Sequence, residues 1–368
     1  MGEGTGVLVI GGGPAGLAVA IAARMKGFDV TVADGAKPPI DKACGEGLMP
    51  GTLRALRELG VAIRPGDGQV FPGIRFVDSA NSVEANFSSA GGFGIRRTIL
   101  HQKMVERAEE CGVSLLWNTP VAGLSSGGAI LGGKTMKARW IVGADGIHSR
   151  VRRWIGLDSN AHLEKRFAQR RHFRVKPWTD CMEIHWSNRA QAYVTPLGND
   201  ETCVALISRD PRMRLADAWL EFPALAGCLR RAEPINAERG AVTVTRRLRQ
   251  VYRENVALTG DASGSVDAIT GEGLCLSFRQ ALALAEALGN GNLSNYQRVH
   301  RQLARRPHIM GRLLLMLDQY PALRKRAMKI LAEDPALFAG LLSAHLGETS
   351  ATFLAGTSLR LGWQFLTA

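Results

Sequence analysis

The opening of the chain admits few arrangements. Val7–Ile10 (VLVI) is a short apolar run suited to a buried parallel strand. Gly11-Gly12-Gly13-Pro14-Ala15-Gly16 follows as a tight turn, then an alanine-rich helical stretch, Leu17–Lys26, stopped by Gly27. Phe28–Ala33 is a second strand, ended by Asp34-Gly35. Together these predict a complete βαβ unit. Its glycines fall as Gly11-x-Gly13-x-x-Gly16. Gly11 permits the turn, Gly13 lets the backbone approach a pyrophosphate, and Gly16 lets the helix pack on the strand. Pro14 and Ala15 lie at the helix start, where free N–H groups and the positive dipole end suit phosphates. Asp34, 18 residues past Gly16, is placed to accept from a ribose hydroxyl.

Further along, Thr52–Leu59 and Thr98–Cys111 read as helices, Val70–Phe87 as strands with turns, and Val113–Trp117 and Lys137–Asp145 as strands. The texture then changes. HFRVK, CMEIHW, AQAYVTP and TCVALIS, between residues 172 and 208, alternate with period two. This predicts an antiparallel sheet with one covered face. Asp217–Ala232 reads as a helix and Ala241–Arg247 as a strand. Asn255–Leu258 and the helix Leu274–Leu288 return to nucleotide-fold texture. From Asn292 the chain is helical, broken at Pro307, Pro321 and Pro335. The order predicts an α/β nucleotide-binding domain (1–62, 93–163 and 250–292) interrupted by a β-sheet substrate domain (63–92 and 164–249), with a C-terminal helical segment, 293–368.

Composition narrows the function classes. With 46% apolar and 21% charged residues, the chain reads as a soluble globular protein. None of its six cysteines lies at CxxC spacing, which argues against zinc and dithiol motifs and predicts reduced thiols in the cytoplasm. No metal site is visible. The N-terminus carries only Glu3 before the apolar run, so it lacks the basic region of a signal peptide. The net charge of +13 gathers in two windows, 139–176 and 298–329. These suit nicotinamide phosphates, acidic substrates or anionic lipid, or form a solvated basic surface. No basic window alternates with aromatics, which argues against nucleic acid. Nothing in the sequence fixes an oligomeric state.

Two more motifs narrow the dinucleotide. Gly143-Ala144-Asp145-Gly146 follows one strand, with Ser149 and Arg152 beyond it. Gly260-Asp261-Ala262 follows another, and Gly271-Glu272-Gly273 opens the helix that Leu274 begins. With the first glycine turn, this constellation resembles the flavoprotein family of para-hydroxybenzoate hydroxylase and the geranylgeranyl reductases, over roughly residues 5–290. The resemblance implies FAD as cofactor and NAD(P)H as transient electron donor. It implies that Gly11, Gly13 and Gly16 cradle the pyrophosphate, that Asp34 with Gly35 meets the adenosine ribose, and that Val121 contacts adenine. It places Arg97, in R-x-x-L-x-x-x-M, near the pyrophosphate or ribityl chain. Asp145 and Gly146 come beside the pyrophosphate, Gly260 and Asp261 at a ribityl hydroxyl, and Gly271, Gly273 and Leu274 at the flavin pyrimidine edge. A helix N-terminus there stabilises negative charge on reduced flavin. Gly264 and Ala268 stand where aromatic hydroxylases carry His and Pro. Ala268 departs from the family's local backbone, while Gly264 and the run Ile269-Thr270-Gly271-Glu272-Gly273 bring the chain nearer the geranylgeranyl reductase branch. Ala43-Cys44-Gly45-Glu46-Gly47 does the same, and in that branch the cysteine lies beside the flavin ring.

Cys44 is therefore either a thiol acting at the flavin face or a small residue packing there. His172 and His185 are either proton shuttles or structural histidines. Glu183 and His185 share one sheet face by alternation. Ser149 lacks a GxSxG elbow, which argues against hydrolase chemistry, and the W-x-W-x-I-P signature of flavin halogenases is absent. The helix Ala322–Ala332 mixes Arg324, Lys325, Arg326 and Lys329 with apolar residues, and either lies peripherally on anionic lipid or packs with a charged outer face. The leading expectation is an NAD(P)H-dependent monooxygenase acting on an aromatic, polyketide or lipid-like small molecule. The runner-up is a prenyl reductase acting on C=C bonds, and a third reading is a non-catalytic flavin-binding protein.

Overall fold

The computed structural model describes residues 5–88, 90–158, 164–198 and 200–348. Residues 349–368, the end of the expected helical segment, lie outside the described residues, as does Glu3. The chain opens as predicted. Strand Thr5–Ile10 leads into helix α1 (Pro14–Met25) and strand Val30–Ala33. Thr5–Ile10 pairs in parallel with Val30–Ala33 on one side and Lys134–Gly143 on the other. Ser114–Leu116 and Val256–Leu258 extend this parallel sheet outward. Helix α2 (Pro50–Glu58) and helix α3 (Arg97–Glu110) join one apolar core with α1. In α3 the R-x-x-L-x-x-x-M spacing buries Leu100 and Met104. The short helix α4 (Arg150–Trp154) follows Lys134–Gly143.

The second sheet runs in the order Glu233–Pro234, Lys165–Arg174, Glu201–Ser208, Ala190–Gly198, Met182–Trp186, Gly73–Val77, Ser82–Asn86. It is antiparallel except where Met182–Trp186 meets Gly73–Val77 in parallel. Its central strands are buried on both faces, not one. One face, through Ile184, Trp186, Tyr193 and Ile207, packs on Met328, Leu331, Phe338 and Leu342 of the C-terminal helices. The other, through Ala192, Val194, Val204 and Leu206, is roofed by Leu215, Phe222 and Leu225. Alternation misled because the "polar" positions carry small or paired side chains that a second layer can cover.

Two other expectations change. Asp217–Ala232 is not one helix but a 3-10 turn, Asp217–Leu220, followed by helix α5 (Pro223–Leu229), because Pro223 starts a new helix at its first turn. Helix α6 (Gly273–Gly289) follows the Gly271 turn. Pro307 does not break the chain: helix α7 (Leu293–Gln319) runs through it. The helix forgoes one backbone hydrogen bond there, and packing through Tyr296, His300, Pro307 and Gly311 offsets a cost of about 3 kcal/mol. Pro321 and Pro335 do start new helices, α8 (Pro321–Glu333) and α9 (Pro335–Leu346). Helix α8 buries Arg324, which donates to Asn188 Oδ1 at 2.8 Å, and spends its apolar side on the sheet. That face is not free to lie on lipid.

Candidate functional site

The motif turns gather at the carboxyl ends of the parallel strands. Gly11 sits at φ +115°, and a β-carbon on it would lie 2.5 Å from the Ala144 oxygen. A β-carbon on Gly16 would lie 1.8 Å from the Gly11 oxygen, so helix and turn touch backbone to backbone. A β-carbon on Gly260 would meet that of Ala15 at 2.7 Å. The turns 11–16, 144–146 and 260–261 are thus one contiguous surface. Arg152 ties two of them: its guanidinium is buried and donates to the Ala262 oxygen at 3.1 Å and the Ile147 oxygen at 2.9 Å. Gln280, a residue outside every motif, accepts from Gly260 N–H at 3.0 Å.

At one end, Asp34 accepts from Gly12 N–H at 2.6 Å and from Ala36 N–H at 2.8 Å. Trp117 closes against Gly12, Gly35 stacks beside Pro120, and Val121 begins the strand after it. His101 Nε2 meets the Gly12 oxygen at 2.8 Å, and burial holds its pKa below the ordinary histidine value. Asp145 spends its carboxylate shaping the Asp-Gly turn: it accepts from Ser149 and from the Arg150 and Val151 N–H groups. Ser149 in turn caps α4, a structural duty.

In the middle, Asp261 keeps an exposed surface although protein atoms crowd around it, the mark of a group on a cleft wall. Burial raises its carboxyl pKa, against the opposing charges of Lys42, Arg97 and Arg152. At the far end, Gly271 adopts φ +65° beside Met49, and α6 begins at exposed Gly273 and half-buried Leu274. Cys275, one turn in, abuts Gly51 of α2. This contact brings the turn before α2 to the start of α6.

That turn carries Cys44, and the second sheet grips it. His172, Cys203 and Thr195 are register partners on three adjacent strands. Thr195 Oγ1 donates to the Gly45 oxygen at 2.6 Å, the Cys203 thiol to the Cys44 oxygen at 3.9 Å, and His172 Nε2 meets Glu46 Oε2 at 2.6 Å. Glu46 also accepts from Arg97 N–H at 3.0 Å, and its own N–H donates to Cys44 Sγ at 3.4 Å. The His172 tautomer follows from its neighbours. Asn236 Oδ1 accepts from His172 N–H, which turns its amide NH₂ toward Nδ1, and Arg170 also donates to Nδ1. The proton therefore sits on Nε2, aimed at Glu46. Arg170 pairs in turn with Asp41. His172 thus belongs to the site, while His185 does not: it bonds Glu183 at 2.8 Å under Phe222.

Glu46, His172 and Cys203 bring their ligand atoms within 4.8 Å of one another. A metal would need a lone pair on His172 Nε2 and a Cys203 thiolate. Nε2 carries the proton, and burial, with Glu46 nearby, pushes the Cys203 thiol far up. The set is built as a hydrogen-bonded clamp.

The residues fit an extended dinucleotide. Among the described residues, nothing beyond the adjoining chain lies within 4 Å of a β-carbon placed on Gly13, Gly45 or Gly273, so open space faces all three. Among the described residues Arg97 Nε is buried without an acceptor, and the Arg97 charge acts on Asp261. Residues 4–291 match the profile of a family described as FAD binding domain. The chain belongs to this family. It is a flavoprotein oxidoreductase with FAD as cofactor. It is 27% identical over 333 residues to digeranylgeranylglycerophospholipid reductase 1 of Methanothermobacter thermautotrophicus, covering 80% of this chain and 82% of that one. It is 27% identical over 343 residues to menaquinone reductase of Mycolicibacterium smegmatis, covering 84% of each. Among solved structures, a geranylgeranyl bacteriochlorophyll reductase-like protein of Thermoplasma acidophilum superposes with TM-score 0.75 at 20% identity, covering 90% of this chain and 91% of that one. The flavoprotein thus stands in the superfamily that its motifs resemble.

Proposed function

We propose that this flavoprotein reduces carbon–carbon double bonds of an isoprenoid lipid or an isoprenoid quinone. The observation that carries the reading is the clamped turn 44–46, which holds a half-exposed thiol on the segment that leads into α2, the helix that abuts α6. The names of the relatives, reductases of a geranylgeranyl lipid and of menaquinone, support it. The Gly11, Gly13, Pro14, Ala15 and Gly16 backbone would hold the pyrophosphate of FAD, with Asp145 and Gly146 alongside. Asp34 and Gly35 would take the adenosine ribose and Val121 the adenine edge. Arg97, Gly260 and Asp261 would take the ribityl and phosphate groups, and the N–H groups of Gly271, Gly273 and Leu274 the flavin pyrimidine. Gly45 and Cys44 would line the ring face.

Bound FAD supplies hydride chemistry, with electrons drawn from NAD(P)H. Cys44 would hold a proton on Sγ for the carbon that does not receive hydride. The N-terminal end of α6 favours negative charge in front of it. The clamp fixes the Cys44 backbone, so the thiol keeps one position through turnover. Residues 63–92 and 164–249 would form the wall toward the substrate. The free cysteines fit a cytoplasmic setting, and among the described residues no helix is long and apolar enough to cross a membrane.

The test is anaerobic. Enzyme reduced by dithionite is mixed with a geranylgeranyl glycerophospholipid or a menaquinone, and flavin absorbance and product mass are followed. Flavin reoxidation without oxygen, with two hydrogens gained by the product, is expected. Reoxidation only on admitting oxygen, with one oxygen atom gained, would instead establish the hydroxylase reading, the leading expectation from the sequence.

A further inference from the structure

A second cleft opens between α6, α7 and the segment 246–249, behind the Gly260–Asp261 turn, and encloses about 640 Å³. Its floor is polar and buried. Ser263 Oγ meets His300 Nε2 at 2.9 Å, and His308, 8% exposed, has a buried Nδ1 without a partner. Its rim carries Arg247, Arg249, Arg301 and Arg305, all exposed. Among the described residues no carboxylate lines the cleft, and no acid pairs with Arg247, Arg249 or Arg305. Like charges around one cavity repel until an anion enters, and guanidinium forks match phosphate oxygens.

Helix α7 supplies the independent clue. Ile309, Leu313 and Met316 are 50%, 47% and 40% exposed. Their helical spacing puts them on the same face as Arg301 and Arg305, continuing away from the cleft. A phosphate cleft that runs into an exposed apolar stripe matches a molecule with an anionic head and a hydrocarbon body. A nucleotide has no use for the stripe.

We propose that this face docks on an anionic lipid surface, with a headgroup phosphate between the cleft arginines and the α7 stripe among the hydrocarbon chains. The docking does not depend on which redox reaction the flavin site performs. It differs from the α8 route considered from sequence, because α8 buries its apolar side whereas α7 presents one.

The experiment is flotation of the FAD-loaded protein with vesicles of phosphatidylcholine, with and without phosphatidic acid. Binding only to the phosphatidic acid vesicles is expected, with displacement by excess inorganic pyrophosphate. Arg249→Gln with Arg305→Gln should weaken it by about 30-fold, a factor of five or so per arginine. Ile309→Ser with Leu313→Ser should weaken it without changing the pyrophosphate competition. All four positions are on the surface, and an unchanged flavin spectrum verifies the fold of each variant. Equal binding to both vesicle types, retention in pyrophosphate, or indifference to the arginine changes would overturn the proposal.

Discussion

Glu46 combines two opposed features, and substituting it separates them. The residue sits at φ +59°, a left-handed conformation that costs an L-residue about 1–2 kcal/mol and glycine almost nothing. Its carboxylate is 2% exposed and satisfies His172 Nε2–H and Arg97 N–H. In Glu46→Ala both donors lose their acceptor and the strain stays, and breaking such a buried charged contact costs about 3–5 kcal/mol. Glu46→Gly loses the same acceptor but sheds the strain. Allowing for the entropy that glycine adds to the unfolded chain, it should be about 1 kcal/mol more stable than Glu46→Ala. Urea denaturation of the FAD-free chain, followed by tryptophan fluorescence, measures both. If alanine and glycine cost the same, the backbone is not strained. If each costs less than about 1 kcal/mol, the carboxylate does not anchor the turn.

Gly13→Ala should leave the apo-protein as stable as before, because its β-carbon meets open space, yet weaken FAD binding by about tenfold or more, read by flavin fluorescence titration. Gly16→Ala should instead destabilise the fold itself, since its β-carbon overlaps the Gly11 oxygen, and thermal unfolding of the apo-protein will show the contrast. Cys44→Ser should retain the flavin spectrum and lose about 100-fold in C=C reduction in single-turnover assays, a general-acid loss that a packing role would not produce. Burial lowers the pKa of His308 to about 4, helped by the charges of Arg247 and Arg312. The unfolded chain therefore binds the extra proton first. The stability this histidine contributes is complete above about pH 6.5 and is lost as pH falls toward 4. His308→Gln should flatten that part of the stability profile in pH-dependent denaturation.

The dinucleotide half of the fold was legible because each of its elements carries a local signal. Gly11, Gly13 and Gly16 mark a turn that tolerates no side chains, and Asp34 closes the unit at a fixed distance. The clamp on the Cys44 turn was not legible. Thr195, Cys203 and His172 lie on three strands, and only register brings them into one row. Asn236, which settles the histidine tautomer, comes from still another loop. Pro307 misled for a related reason: local propensity forbids it in a helix, and only the contacts of α7 with its neighbours outweigh that. The second layer over the sheet was hidden because small residues such as Ala190 and Ala192 read as neutral in a period-two pattern.

The row formed by His172, Thr195 and Cys203 has a consequence for engineering. The turn proposed to carry the reactive thiol belongs to one region of the sequence and its anchors to another, so the two cannot be exchanged separately. A chimera that grafts a foreign sheet to alter specificity must bring matching anchors for residues 44–46. Otherwise it will bind its cofactor normally and still leave the sulfur without a fixed address.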